Sequence, residues 1–282
     1  MIQRLVVVGL GLLGGSVAKA ARERELAREI VAVGRRAHRL TPALRDGIVD
    51  RATADLADGV DGADFVLLAL PVATLEALLP EVWTLAPQEA VLTDVGSTKA
   101  AIVRTAERLG RSHPRAFVGG HPMAGSEKSG YAAARVDLFA GATVILTPTE
   151  LTDPRAVKCV GGFWEALGAR VATLDPDLHD RVVAAVSHLP HLLAFALVDA
   201  VAGVEPAAMG FAARGFKDTT RIAASEPQLW REIFLSNRSA MAETLAAFRA
   251  ALGRLEQLIS AGDATGLDRE LARIRAIREV IR

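Results

Sequence analysis

Leu5-Val6-Val7-Val8-Gly9-Leu10-Gly11-Leu12-Leu13-Gly14-Gly15-Ser16 decides the fold of this chain. An uninterrupted β-branched run suits a strand buried on both faces of a parallel sheet. It enters a G-x-G-x-x-G turn, and an Ala-rich helical stretch follows, which is the context that gives this motif a dinucleotide meaning. Gly9 permits the turn, Gly11 lets backbone approach a pyrophosphate, and Gly14 lets helix and strand pack closely. Leu12 and Leu13 open the helix, whose N-terminal N–H groups and positive dipole end suit phosphates.

Working outward, Ile30-Val31-Ala32-Val33 reads as the second strand. Its end normally carries an acid for the adenosine ribose hydroxyls. Here it reads Gly34-Arg35-Arg36, with Arg39 close by. Two readings stand: a solvated basic loop, or a site for a ribose 2′-phosphate. Residues 63–70 form a buried strand, stopped by Pro71, so that Leu70 and Pro71 stand at the nucleotide crevice. Residues 75–79 predict a short helix stopped by another Pro. Ala90-Val91-Leu92-Thr93-Asp94 is the next strand, and Val95-Gly96-Ser97-Thr98-Lys99 turns into a helix. Residues 142–147 and 168–174 predict further strands around an amphipathic helix at 157–167. This alternation predicts an α/β fold: a Rossmann-like, doubly wound, mainly parallel sheet over residues 1–174.

After Leu174 no alternating run follows. Apolar residues recur at helical spacing, as in Leu245, Phe248, Leu252, Leu255 and Leu258, with Gly262 and Gly266 as punctuation. Residues 175–282 therefore predict an all-α domain. Its apolar faces exceed what a thin helical layer buries alone, which predicts a homodimer.

Composition narrows the function. Lys plus Arg and Asp plus Glu both number 33, so no global field argues for nucleic acid. The lone Cys159 excludes an internal disulfide and a Cys-based zinc site. The N-terminus predicts no signal peptide, and no apolar segment reads as long enough to span a bilayer. The expectation is a cytoplasmic protein without a membrane or nucleic-acid partner.

Three further stretches carry candidate chemistry. Gly119-Gly120-His121-Pro122-Met123-Ala124-Gly125-Ser126-Glu127-Lys128-Ser129-Gly130 follows the short strand Ala116-Phe117-Val118. His121 thus stands where open α/β sheets bind ligands; the plain alternative is a loop with one partly buried His. Ser97 lies at the same sheet edge, with helix capping as the plain role for Ser97 and Thr98. Ser187-His188-Leu189-Pro190-His191 places two His three apart near one helix face, with Pro190 expected to disturb the helix. A metal reading is weak, because no third ligand cluster has matching spacing. Finally, Arg214-Gly215-Phe216-Lys217-Asp218-Thr219-Thr220-Arg221, followed by Trp230, suggests an anion site, with a surface salt-bridge network as the plain alternative.

Together these signatures resemble the prephenate/arogenate dehydrogenase family of tyrosine biosynthesis, over nearly the whole chain. The motifs that carry the resemblance are the Gly-rich turn, Asp94-Val95-Gly96-Ser97-Thr98-Lys99, Gly120-His121-Pro122-Met123-Ala124-Gly125-Ser126-Glu127, and Ser187-His188-Leu189-Pro190-His191 with Gly215-Phe216-Lys217-Asp218-Thr219-Thr220-Arg221. The resemblance implies a helical dimerisation domain and an active site in the cleft beside the Rossmann-like domain. It implies hydride loss to NAD or NADP with loss of carbon dioxide and ring aromatisation. By the same resemblance His121 takes the 4-hydroxyl proton, and Ser97 is its companion near the nicotinamide. Arg221 clamps a substrate carboxylate and Lys217 supplies a second cation. His188, His191 and Trp230 line the substrate pocket, with Glu127 and Asp218 in supporting positions.

Two departures from the family pattern stand out. Gly34 replaces the ribose acid, which predicts NADP over NAD. The chain ends at Arg282, which predicts neither a fused mutase nor a C-terminal regulatory module. The competing readings are a β-hydroxyacid dehydrogenase of similar build, which would carry a catalytic Lys in its helical domain, and a non-catalytic nucleotide sensor, which would not need His121, Ser97 and Arg221 together.

Overall fold

The computed structural model describes residues 1–280 except Glu127, and the side chains of all of these but Ala37 and Pro206. Six strands form the first sheet: β1 (Ile2–Val8), β2 (Ala27–Val33), β3 (Arg51–Thr53), β4 (Phe65–Leu68), β5 (Val91–Asp94) and β6 (Ala116–Val118). Their order is β3-β2-β1-β4-β5-β6, and every pairing is parallel. The order reverses between β1 and β4, so the crevice lies beyond Val8 and Leu68, which are paired in register. Between the strands run α1 (Leu12–Glu23), α2 (Ala37–Arg45), α3 (Leu56–Val60), α4 (Val72–Leu85) and α5 (Ala100–Gly110).

Alternation along each strand separates two cores. Leu5, Val7, Ile30, Phe65 and Leu67 pack with Val17, Phe139 and Trp164 on one face. Val6, Val8, Val31, Val66 and Leu68 pack with Leu75, Leu79, Trp83 and Ile102 on the other. Both faces are covered, which is why these strands read as continuous apolar runs.

The helix expected at 75–79 does not stop at its Pro. α4 continues through Pro80 to Leu85. Proline removes one i→i−4 bond there, but Leu75, Leu79, Val82 and Trp83 are all buried, and that burial outweighs the loss.

A second sheet of three strands carries the His121 stretch: β7 (Gly120–Pro122), β8 (Thr143–Leu146) and β9 (Arg170–Thr173). β7 runs antiparallel to β8, with His121 opposite Ile145, and β8 runs parallel to β9. His121 is therefore held in a ladder and not on a loop. Gly120 makes this possible: a Cβ there would fall 2.8 Å from the Asp94 carbonyl, so only glycine lets β7 pass so close to the end of β5. α6 (Pro154–Ala166) connects β8 to β9.

Helices follow β9: α7 (Pro176–Val183), a π-helical turn Ala184–His188, α8 (Leu189–Val204), α9 (Arg214–Thr220) and α10 (Pro227–Ser236). Pro190 sits in the first turn of α8, where a missing N–H costs little. The π turn just before it absorbs the disturbance the proline was expected to cause. Contrary to the sequence expectation, one helical run, Pro176–Val204, is long and apolar enough to cross a membrane by length and composition, with a mean hydropathy of 1.6. Its length arises because α7, the π turn and α8 follow without a break. It also carries His179, Asp180 and His188, which are buried and hydrogen-bonded within the protein.

The chain divides into two compact units, Met1–Asn237 and a second that begins at Arg238. The second unit contains α11 (Arg238–Ser260) and α12 (Ala264–Glu279). Gly262, with φ of 65°, ends α11, and Asp263 caps α12 by accepting the Gly266 N–H at 2.9 Å.

Candidate active site

The Gly-rich turn is shaped by close approach. Gly9 has φ of 98°, and a Cβ there would collide with the Ala69 carbonyl; a Cβ on Gly14 would collide with the Gly9 carbonyl. At Gly11, by contrast, a Cβ would meet nothing within 4 Å, and as the N-cap of α1 Gly11 offers no side chain to its N–H groups. Such a helix N-terminus suits the diphosphate of a dinucleotide. Leu12 and Leu13 begin the helix, Leu70 packs against Gly9, and Pro71 begins α4. At the end of β2, Gly34 donates its N–H to Thr53 O at 3.1 Å. Arg35 and Arg36 are exposed, and Arg36 is the N-cap of α2. The turn after the His121 stretch crosses back over α1. Lys19 Nζ donates to Ala134 O at 2.9 Å and lies over the Tyr131 ring.

His121 is buried, and its Nδ1 lies 2.9 Å from Nε2 of His179. His179 Nδ1 lies 2.8 Å from Oδ1 of Asp180. Asp180 in turn accepts the N–H of Lys99 at 2.7 Å and that of Ala100 at 3.1 Å. The N-terminus of α5 is thus capped by a carboxylate from α7, and not by Ser97 or Thr98; Thr98 Oγ1 instead donates to Ser236 Oγ at 3.2 Å. The fully buried Lys99 ammonium pairs with Asp94 and donates to Gly120 O at 2.9 Å. Asp94 also accepts the N–H of Gly96 and of Gly120. The residues on either side of this pair fix the backbone that presents His121.

These contacts set the charges. Burial, then His179, Lys99 and His188, hold the His121 pKa well below the ordinary imidazole value, so the ring is neutral at physiological pH. Burial alone would raise the Asp180 pKa, but its bonds from His179 and from the Lys99 and Ala100 N–H groups outweigh this and keep it low. Burial lowers the Lys99 pKa against the opposing pull of Asp94, Asp180 and Glu76. Glu76, on α4, is pushed up by burial and by Asp180.

The helical side adds a second group. The buried His188 accepts from Asn237 Nδ2 at 3.2 Å through Nδ1, and the same amide donates to Asp180 O at 2.7 Å. With Nδ1 accepting, the His188 proton sits on Nε2, a buried atom with no hydrogen-bond partner among the described residues. Burial lowers its pKa to about 4. His191 Nδ1 donates to Ser187 O at 3.0 Å, and its ring stacks on Trp230 with centroids 3.5 Å apart. Arg221 is exposed and close enough to His191 to lower its pKa, after burial. Lys217 is exposed on α9, and Asp218 pairs with Arg214 at 3.4 Å.

The structure thus brings His121 near His188, His188 near His191 and Trp230, and Arg221 near His191. Ser97 is half-buried in the turn between β5 and α5, while the bond to His121 comes from His179. Glu127 lies outside the described residues. Sequence reading missed Asp94, Lys99, His179, Asp180 and Asn237 as site residues. Asp94 and Lys99 lay within a quoted motif, but their pairing depends on burial. Asn237 carried no local signal, and the adjacent His179 and Asp180 gave none beyond a helix start.

Comparison with known proteins agrees with this geometry. Residues 17–173 match the family model described as prephenate dehydrogenase, nucleotide-binding domain, and residues 175–273 the model described as prephenate dehydrogenase, dimerization domain. The chain is 36% identical to prephenate dehydrogenase of Bacillus subtilis (strain 168), over 95% of this chain and 73% of that protein. It is 33% identical to cyclohexadienyl dehydrogenase of Zymomonas mobilis, over 93% of this chain and 90% of that one. A solved structure of prephenate dehydrogenase from A. aeolicus with hydroxyphenyl propionate and NAD+ superposes with a TM-score of 0.92 at 36% identity, covering 100% of this chain and 99% of the other. On this fold, these motifs and these matches, the chain belongs to the prephenate dehydrogenase family of oxidoreductases.

Proposed function

We propose that the protein catalyses NAD(P)-dependent oxidative decarboxylation of prephenate to 4-hydroxyphenylpyruvate or of arogenate to tyrosine. The observation that carries this reading is the buried, neutral His121 at the sheet edge, engaged through Nδ1 only among the described residues. Residues 1–174 bind the dinucleotide, with Gly9, Gly11, Leu12, Leu13, Gly14, Gly34, Leu70, Pro71 and Ser97 along its path. Residues 175–282 bind the substrate and a second copy of the chain. Exposed Val204 and Phe211, and the match of residues 175–273 to a dimerization domain, support the homodimer. We place the enzyme in the cytoplasm, without nucleic-acid or membrane partners.

A dinucleotide held by its diphosphate at the Gly-rich turn would supply its nicotinamide as the hydride acceptor. His121 Nε2 takes the proton of the substrate 4-hydroxyl as the 4-carbon is oxidised, a role that suits a base neutral at pH 7. The bond from the ring to its carboxylate then breaks, its electrons complete the aromatic ring, and carbon dioxide leaves. The His188 Nε2–H has no acceptor among the described residues, which favours an oxygen of the substrate in that place. Arg221 clamps a carboxylate, Lys217 adds positive charge, and Trp230 with His191 forms an apolar wall. NADP is the preferred cofactor, because Gly34 neither repels nor binds a 2′-phosphate and Arg35 and Arg36 stand beside it.

Reduced-cofactor formation, measured by absorbance with prephenate and with arogenate, each with NAD and with NADP, tests this reading. Turnover of at least one pair is expected. No reduction with any of the four combinations would contradict it.

A further inference from the structure

His179 and Asp180 do not belong to the substrate contacts above, yet they form a buried chain ending on His121. His179 is fully buried, and Asp180 nearly so. The chain has a direction. Asp180 accepts two backbone N–H groups at the start of the 11-residue α5, and its carboxyl is held low, so it is an anion and an acceptor. His179 Nδ1, 2.8 Å away, must then donate. With Nδ1 donating, the lone pair of the His179 ring is on Nε2, which accepts from the Nδ1–H of His121 at 2.9 Å. A neutral His121 with its proton on Nδ1 carries its lone pair on Nε2, the nitrogen that faces no described protein partner.

We propose that His179 and Asp180 are positioning residues that hold His121 in the Nδ1–H tautomer and so create the proton-accepting Nε2. This rests on the reading of His121 as the base. Without the chain the two tautomers compete, and the Nε2–H form has no lone pair to offer the substrate hydroxyl. When His121 gains a proton, the same chain opposes its positive charge with Asp180. Other charged or titratable groups face the chain: Lys99 at the start of α5, His188 from the π turn, and Glu76 from α4, which faces Asp180 and Lys99. Lys99 and His188 disfavour an imidazolium at His121, and Asp180 favours it.

The chemistry fixes which substitutions matter. Asp180 Oδ1 accepts from both His179 Nδ1 and the Lys99 N–H, and Oδ2 accepts from the Ala100 N–H. Asp180→Ala removes the acceptor for His179, so neither ring is held in one direction and the His121 proton can sit on Nε2. In the Ser-His-Asp triad, loss of the tautomer that the Asp selects costs about 10⁴-fold in kcat. A Gln at position 179 can accept from His121 and donate to Asp180, as the imidazole does, whereas a Phe can do neither.

The first measurement is two-bond ¹H–¹⁵N correlation NMR of the ¹⁵N-histidine protein without substrate, which reads each ring's tautomer and has only six histidines to assign. His121 is expected as Nδ1–H from pH 7 to 9, with the Nε2–H form becoming populated in Asp180→Ala. A wild-type His121 in the Nε2–H form overturns the proposal. The second is steady-state kinetics. Asp180→Ala and His179→Phe are expected to lower kcat by roughly 10²–10⁴-fold with KM little changed, and His179→Gln to recover at least about tenfold over His179→Phe. Values of kcat within about threefold of wild type in both Asp180→Ala and His179→Phe overturn it. If His121→Asn itself keeps turnover, the base reading fails instead, and the NMR result still decides whether the chain sets the tautomer.

Discussion

Asp180 accepts the backbone N–H of Lys99 at 2.7 Å, although 81 residues separate them. The bond ties the first helix after the nucleotide-binding region to the start of α5, beside the strand end that carries Asp94. Through Lys99 the same point reaches Gly120, next to His121. The site is therefore assembled by long-range polar contacts laid over a local βα frame.

Lys99 and Asp94 are both fully buried and paired. Lys99→Met leaves the Asp94 carboxylate buried without its cation, and a loss of about 3–5 kcal/mol in urea unfolding is expected. Lys99→Met combined with Asp94→Asn removes the charge as well and should recover at least about 1 kcal/mol of that loss. A double variant as unstable as the sum of its singles would show that the two groups do not act as a pair.

His121 and His188 have pKa values below the ordinary imidazole value. The unfolded chain takes up these protons near pH 6.5, while the native state resists, until about 4 for His188. Their stabilising effect is thus fully present above the unfolded value and is lost as pH falls below it. At pH 5 His188 alone should cost on the order of 2 kcal/mol, or roughly 4–8 °C in Tm. A Tm unchanged between pH 7 and pH 5 would contradict the buried, neutral assignment.

Arg221 is expected to act mainly in binding. Arg221→Ala should raise KM with kcat nearly constant, by an amount worth about 2–3 kcal/mol for a charge-assisted pair. An unchanged KM for the substrate would remove Arg221 from the pocket.

Arg35 and Arg36 are both exposed beside Gly34. One guanidinium contact to a 2′-phosphate, partly solvated, is worth about 1.5–3 kcal/mol, or roughly a tenfold to hundredfold preference. In kcat/KM at fixed ionic strength NADP should exceed NAD, and Arg35→Ala or Arg36→Ala should weaken NADP selectively. A wild-type preference for NAD would leave these arginines as a solvated loop.

The sheet was legible because its strands are buried on both faces and its turns are marked by Gly and Pro; Val8 leading into Gly9 is a local signal. His121, His188 and His191 were legible through their motifs. The second sheet was not, because β7 is only three residues long and exists through its pairing with β8. The extension of α4 past Pro80 was hidden for a similar reason: burial of Val82 and Trp83 overrides a local stop signal. His179 and Asp180 could not be read as site residues, since the bonds that define them reach back to β7 and α5.

The role of His121 is the central claim, and one substitution tests it most directly. With the cofactor and substrate that the wild type turns over, kcat of His121→Asn should fall by roughly two to four orders of magnitude while cofactor affinity stays near the wild-type value. In the wild type, kcat should hold as pH falls through 6.5 and decline only below it, because the neutral ring is the active form and its pKa is depressed. Near-wild-type turnover in His121→Asn would contradict the account.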